Sequence, residues 1–247
     1  MAGHSKWANI KFKKAAVDSK RGKIFTKLVR AITVAARDGG ADLTSNPHLS
    51  LAIDKAKQNN VKKENIKKAI ESGVGGLSGD LIFSRYDGYA PGGVAVMVDC
   101  LTDNKNRTIA EIRHAFSKNG GSIGADGSVS YLFNHKGFIT LEAEVEEEEV
   151  LEIALNAGAD DVQLIAKNSF EIVCEVGHYQ ELKTILEDKF PDAVAGNTTW
   201  CTDVSVDLSL DNANKLNKIV DVLEELDDVQ NVYTNAAIAD DILEQLD

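Results

Sequence analysis

Residues 136–202 read KGFITLEAEVEEEEVLEIALNAGADDVQLIAKNSFEIVCEVGHYQELKTILEDKFPDAVAGNTTWCT, and the order of elements in that stretch decides the fold. A strand at 137–142 leads into a helix at 147–157, opened by Glu146 to Glu149, four carboxylates where the helix macrodipole favours negative charge. Strands at 161–165 and 169–175, a helix at 178–188 and a strand near 196–201 follow, so the six elements spell βαββαβ, a complete ferredoxin-like unit. On the N-terminal side lie a strand at Val94 to Leu101, a helix at Asn104 to Lys118 and a strand at Val129 to Phe133. On the C-terminal side lie Val204 to Leu210, Asn212 to Leu226 and Val229 to Thr234, again strand, helix and strand. These two βαβ halves can pair into a second unit. The expected architecture is a ferredoxin-like α+β domain, 136–202, inserted into another made of 79–135 and 203–240; one continuous sheet is the alternative.

Ahead of both, residues 1–78 read as a basic helical domain with an N-terminal arm. SKRGKIFTKLVRAITVAARDGG from Ser19 places Ile24, Phe25, Leu28, Ile32 and Ala35 at helical spacing and stops at Gly39-Gly40. Lys20, Lys23, Lys27, Arg30 and Arg37 fall on the opposite side, which predicts a cationic outer face, with Arg21 beside it. Asn46 as N-cap and Pro47 at the first helical position open a second helix, carried by Leu49, Ala52, Ile53 and Ala56. A third starts near Lys62, buries Ile66, Ala69 and Ile70, and ends at Gly73. The glycine-rich segment 73–80 reads as a linker.

Charge is divided sharply along this plan. Of the 247 residues, 1–72 hold 16 lysines and arginines against 6 acidic residues, net +10; the remainder holds 11 against 33, net -22, within an overall -12. A basic module joined to an acidic remainder suits a polyanion partner, because neutralised phosphates release their condensed counterions. The candidate nucleic-acid contacts are Lys6, Trp7, Lys11, Lys13 and Lys14 in the arm, Lys20, Arg21, Lys23, Lys27, Arg30 and Arg37 on the first helix, and Lys63 and Lys67 on the third. Trp7 and Phe12 among lysines suit base stacking as well as charge contact, against the plainer reading of a solvated basic tail.

Other motifs are weaker. The acidic run at 146–149 is helix stabilisation, and Glu111 with His114 is half of a metal pair at best. The loop 119–127 lacks the ending of a phosphate-binding P-loop. Cys100, Cys174 and Cys201 are widely spaced in strand-like sequence and read as buried reduced thiols. Tyr86, Tyr89, Pro91, Gly92 and Gly93 form a candidate recognition loop, which turn chemistry explains equally well. The polar junction LTDNKNRT, 101–108, either caps the helix after it or joins domains. The expectation is a non-enzymatic protein with no cofactor or metal, cytoplasmic, without a membrane span or secretory signal, and of open oligomeric state.

MAGHSKWANIK at the start, YAPGGVAV at 89–96, LTDNKNRT at 101–108, RHAFSKNGG at 113–121 and LDDVQNVYTN at 226–235 together resemble the YebC/PmpR family, over essentially the whole chain. The family includes bacterial proteins described as transcriptional regulators, and a mitochondrial translational activator of cytochrome oxidase subunit I. The resemblance implies a helical first domain, two α+β domains, and regulation of gene expression. Three segments depart from the family pattern: Phe12-Lys13-Lys14 for His-Arg-Lys, Ala90 for Gly, and 61–66 for Met-Pro-Lys-Asp-Asn-Ile. The leading expectation is a transcriptional regulator that binds DNA through its basic domain. The alternative is a ribosome-associated translation factor that binds ribosomal RNA and relieves stalled translation. The acidic domains would face partners, the ribosome or other proteins, or orient the complex.

Overall fold

The computed structural model describes residues 18–76 and 81–246, with the backbone alone for 18–23 and 240. The chain divides into two compact units, Met1–Leu132 with Thr202–Asp247, and Phe133–Cys201.

In the first unit, helices α1 (Asp18–Gly39), α2 (Pro47–Gln58) and α3 (Lys63–Val74) form the helical domain. Leu28, Ile32 and Ala36 of α1 pack with Leu49, Ile53 and Ala56 of α2 and with Ile66 and Ala69 of α3. The buried stripe begins at Leu28: Ile24 and Phe25, expected within it, are each 39% exposed. Asn46 is more than a cap. Its Oδ1 accepts the Leu49 N–H at 3.0 Å while Nδ2 donates to the carbonyls of Ala35 at 2.9 Å and Gly40 at 2.8 Å, so one buried side chain fastens the end of α1 to the start of α2. Gly73 lets α3 cross α1 closely, since a Cβ there would lie 2.4 Å from the Thr33 carbonyl.

The rest of this unit is an antiparallel sheet with strand order β3-β1-β2-β9: β1 (Ile82–Ala90), β2 (Val94–Thr102), β3 (Ser122–Ile123) and β9 (Val229–Thr234). Helices α4 (Lys105–Lys118) and α7 (Leu210–Glu225) supply Ile112, Phe116, Leu216, Ile219 and Leu223 to a core shared with Val94, Val96, Val98, Val229 and Val232. The strand expected at Val129 to Phe133 is instead a 3-10 turn, Ser130–Leu132. Asp87 causes this by accepting the N–H groups of Val129 and Ser130 and the Ser130 hydroxyl at 2.7–3.0 Å, satisfying donors that a strand would have paired. The strand expected at Val204 to Leu210 shrinks to β8 (Val206–Asp207), parallel to β10 (Ala236–Ala237). Beside β2 lies β1, a strand the sequence reading did not assign, which pairs with β2 over its whole length. A hairpin neighbour closes with far less entropy loss than a strand more than a hundred residues away. A four-residue helix, α8 (Asp240–Leu243), follows.

The second unit holds β4 (Asn134–Glu142), α5 (Glu147–Asn156), β5 (Ala159–Ala166), β6 (Ser169–Glu175), α6 (Val176–Lys189) and β7 (Val194–Cys201), with strand order β5-β6-β4-β7. That is the βαββαβ arrangement read from the sequence. One sheet face, with Ile139, Leu141, Phe170 and Ile172, is buried with Val150, Ile153, Tyr179, Leu182 and Leu186 of the helices. Gly137 makes room for Tyr179, whose ring would meet a Cβ there at 2.7 Å. Cys100 and Cys174 are buried, Cys201 is half-buried, and all three are free thiols.

Candidate nucleic-acid interface

The basic face of α1 is not simply turned to solvent. Lys27 Nζ donates to the Glu224 carbonyl at 2.7 Å, and Arg30 Nη1 donates to the Asp227 carbonyl at 3.0 Å and lies 3.8 Å from Asp228 Oδ1. The Glu224 carbonyl sits in the last turn of α7, where a helix offers unsatisfied acceptors and partial negative charge, and Asp227 follows in the turn just beyond it. Lys55 of α2 donates to Asn231 Oδ1 at 2.9 Å, and Arg37 bonds the Leu81 carbonyl and Asp38. The expectation of an outward cationic stripe is therefore corrected at Lys27, Arg30 and Arg37. They fasten the helical domain to the α7–β9 turn and to the start of β1, because acceptors of the same chain compete for the same donors.

Exposed cations remain on α2 and α3. Lys62, Lys63 and Lys68 are exposed and their side chains make no hydrogen bond or ion pair among the described residues, while Lys67 and Glu71, both exposed, sit 3.8 Å apart. Lys57 lies 3.5 Å from Asp54. Such surface pairs contribute little and yield readily to a phosphate. Glu64 and Glu71 share α3 with the lysines, so net charge there is lower than the lysine count. Of the other expected contacts, Lys6, Trp7, Lys11, Lys13 and Lys14 lie outside the described residues. Lys20, Arg21 and Lys23 stand on the first turns of α1 with their side chains undescribed.

The candidate recognition loop is mostly a strand. Tyr86 belongs to the core, 8% exposed, and Tyr89 donates its hydroxyl proton to the Ser128 carbonyl at 2.9 Å. Only Pro91, Gly92 and Gly93 form the β1–β2 turn, with φ of 87° and 80° at the two glycines, a region that disfavours side chains. A Cβ on Gly92 would also lie 2.9 Å from Leu208. Burial removes Tyr86 from reach of a ligand, whereas Tyr89 keeps 37% of its surface exposed with its hydroxyl engaged; the strand character of 82–90 was masked by its glycine and polar residues.

Sequence reasoning missed the residue that organises the LTDNKNRT junction. Asp228, 5% exposed, accepts the hydroxyls of Thr102 at 3.1 Å and Thr108 at 2.8 Å and the Arg107 guanidinium at 2.7 Å, with Arg30 nearby. Burial alone would raise its pKa, but the bonds from Arg107, Thr108 and Thr102 outweigh it and hold the carboxyl below its ordinary value. Asn104 caps α4 through the Arg107 N–H. The junction therefore caps a helix and ties 101–108 to Asp228 in the second segment of the same α+β domain, while Arg30 brings the helical domain to the same carboxylate. Among the described residues, no group of three or more histidines, cysteines or carboxylates could hold a metal ion, and no helix is long and apolar enough to cross a membrane.

Fold and surface define a multidomain α+β protein with a three-helix basic domain ahead of two antiparallel sheets. A family profile described as the TACO1/YebC protein N-terminal domain matches residues 5–76, and one described as the TACO1/YebC second and third domain matches 83–236. The chain belongs to the TACO1/YebC family. A protein of Idiomarina loihiensis is 51% identical over 248 residues, covering 100% of both chains, and one of Legionella pneumophila is 51% identical over 247 residues with the same coverage. One of Neisseria meningitidis is 51% identical over 239 residues, 96% of this chain and 99% of the relative. All three carry the name probable transcriptional regulatory protein. The crystal structure of a conserved hypothetical protein from Aquifex aeolicus, 46% identical, matches with a TM-score of 0.77 over 92% of this chain and 94% of that one.

Proposed function

We propose that this protein is a nucleic-acid-binding regulator of gene expression, a transcriptional regulator that grips DNA through the phosphate backbone with its basic N-terminal domain. The observation that carries this reading is the segregation of charge, +10 in residues 1–72 against -22 in the rest. Its footing is the exposed Lys62 at the N-cap of α3 and Lys63, Lys67 and Lys68 on it, together with the arm cations. The names of the relatives support regulation of transcription. Phosphate contacts position a protein without reading sequence, so the α3 lysines supply affinity and register rather than site choice.

The test is a salt titration of DNA binding by fluorescence anisotropy. Replacing Lys62, Lys63, Lys67 and Lys68 with alanine lowers the slope of log affinity against log salt by roughly one unit per lost phosphate contact. An unchanged slope removes α3 from the interface. Crosslinking in living cells identifies the target: enrichment of promoter DNA supports the transcriptional reading, and enrichment of ribosomal RNA with little DNA moves the function to the ribosome and translation.

A further inference from the structure

The inserted domain has a second sheet face, opposite the helices. Cross-strand register places Phe138 of β4 between Val173 of β6 and Asn197 of β7, and Thr140 between Glu171 and Ala195. Asp161 and Gln163 of β5 stand opposite Val173 and Glu171. Phe138, Thr140, Glu171 and Val173 are half-buried, unlike the fully buried residues that alternate with them.

Charge on this face is one-sided. Lys136 is already held by Asp160 and Glu175, leaving Asp161 and Glu171 without a cation among the described residues. Burial, then the neighbouring Asp161, raises the Glu171 pKa, as expected of a carboxylate short of both water and counter-charge. Residues 133–201 as a whole hold 4 lysines and arginines against 15 acidic residues. An antiparallel four-stranded sheet with an aromatic on a central strand is a shape that single-stranded RNA uses in other proteins, but these carboxylates repel phosphate.

We propose that this open face of β5-β6-β4-β7 docks a lysine- and arginine-rich protein segment, its cations meeting Asp161 and Glu171 and its stems packing on Phe138 and Val173. A guanidinium over the Phe138 ring adds a cation–π contact, and the long aliphatic stems of Arg and Lys cover the apolar centre. This surface lies outside the helical domain, so it stands independently of nucleic-acid binding.

The test uses the full chain and two fluorescent peptides, an oligolysine and a repeat of Lys-Leu-Lys, at physiological ionic strength. The Lys-Leu-Lys peptide binds more tightly than oligolysine. D161K/E171K weakens it about ten-fold, as removal of facing charge at an interface does. Thr140→Arg, which removes no core atom, weakens it similarly, and Phe138→Ser erases the preference for the leucine-containing peptide. E152K/E181K, an equal charge change on exposed helical positions of the same domain, leaves affinity within about two-fold. Equal losses from both charge reversals would reduce the effect to net charge and overturn the proposal. So would absence of peptide binding, or loss of RNA binding on Phe138→Ser. DNA binding measured on the same variants is unchanged, and its absence in the unsubstituted protein would sink the proposed function while leaving this one standing.

Discussion

Replacing Asp228 with alanine tests whether the α7–β9 turn is the junction that holds the first unit together. The carboxylate is almost fully buried, and the hydroxyls of Thr102 and Thr108, both fully buried, point at it. A hydrogen bond to a charged acceptor contributes about 1.5–3 kcal/mol. Part of the loss is recovered, because the Thr108 hydroxyl also reaches the Asn104 carbonyl at 3.0 Å. Arg107 and Arg30 are partly exposed and their contacts are screened, so they add little to the total. The net loss is about 3 kcal/mol, which lowers the midpoint of the first unit's thermal transition by roughly 6–12 °C. Calorimetry of the full chain reads this, with the inserted unit's transition as internal control. The folded pKa of Asp228 is depressed, so its contribution is fully present above the unfolded value, near about 4, and is lost as pH falls through the folded one. Both Asp228→Ala and Asp228→Asn should therefore flatten the acid limb of stability below about pH 4. A loss under about 1 kcal/mol with an unaltered acid limb would refute the assignment of Asp228 as the organising residue.

Three further outcomes are expected. Asn46→Ala removes a cap and two bonds to the end of α1, and should destabilise the helical domain by about 2 kcal/mol in chemical denaturation; a value within a few tenths of zero would mean that water replaces the amide. In the folded protein a thiol reagent at mildly alkaline pH should modify Cys201 first, since burial shields Cys174 and Cys100 and pushes their thiols up to about 11 and about 12; simultaneous reaction of all three would contradict the burial. K27A/R30A should lower the thermal midpoint while leaving the salt slope of DNA binding unchanged, because both cations already bond the α7–β9 turn; a fall of about two slope units would mean that DNA displaces those contacts.

Much of this protein is written locally in its sequence. The βαββαβ order of the inserted domain, the capped helices at Pro47 and Lys105 and the strand at 229–234 all follow from side-chain periodicity and capping residues, which depend on neighbours a few positions away. The division of charge is likewise a property of the chain alone. Tertiary structure decided what depends on which strands and donors meet. The segment 82–90 became a strand because a hairpin lets it pair along the whole of β2, while 129–133 became a turn because Asp87 intercepts its N–H groups. Lys27 and Arg30 read from periodicity as an outward face, yet carbonyls about two hundred residues later hold them, and Asp228 draws its importance from donors on three separate elements. Periodicity reports which side of a helix is polar; only the folded chain decides whether water, a phosphate or another part of the same protein faces it.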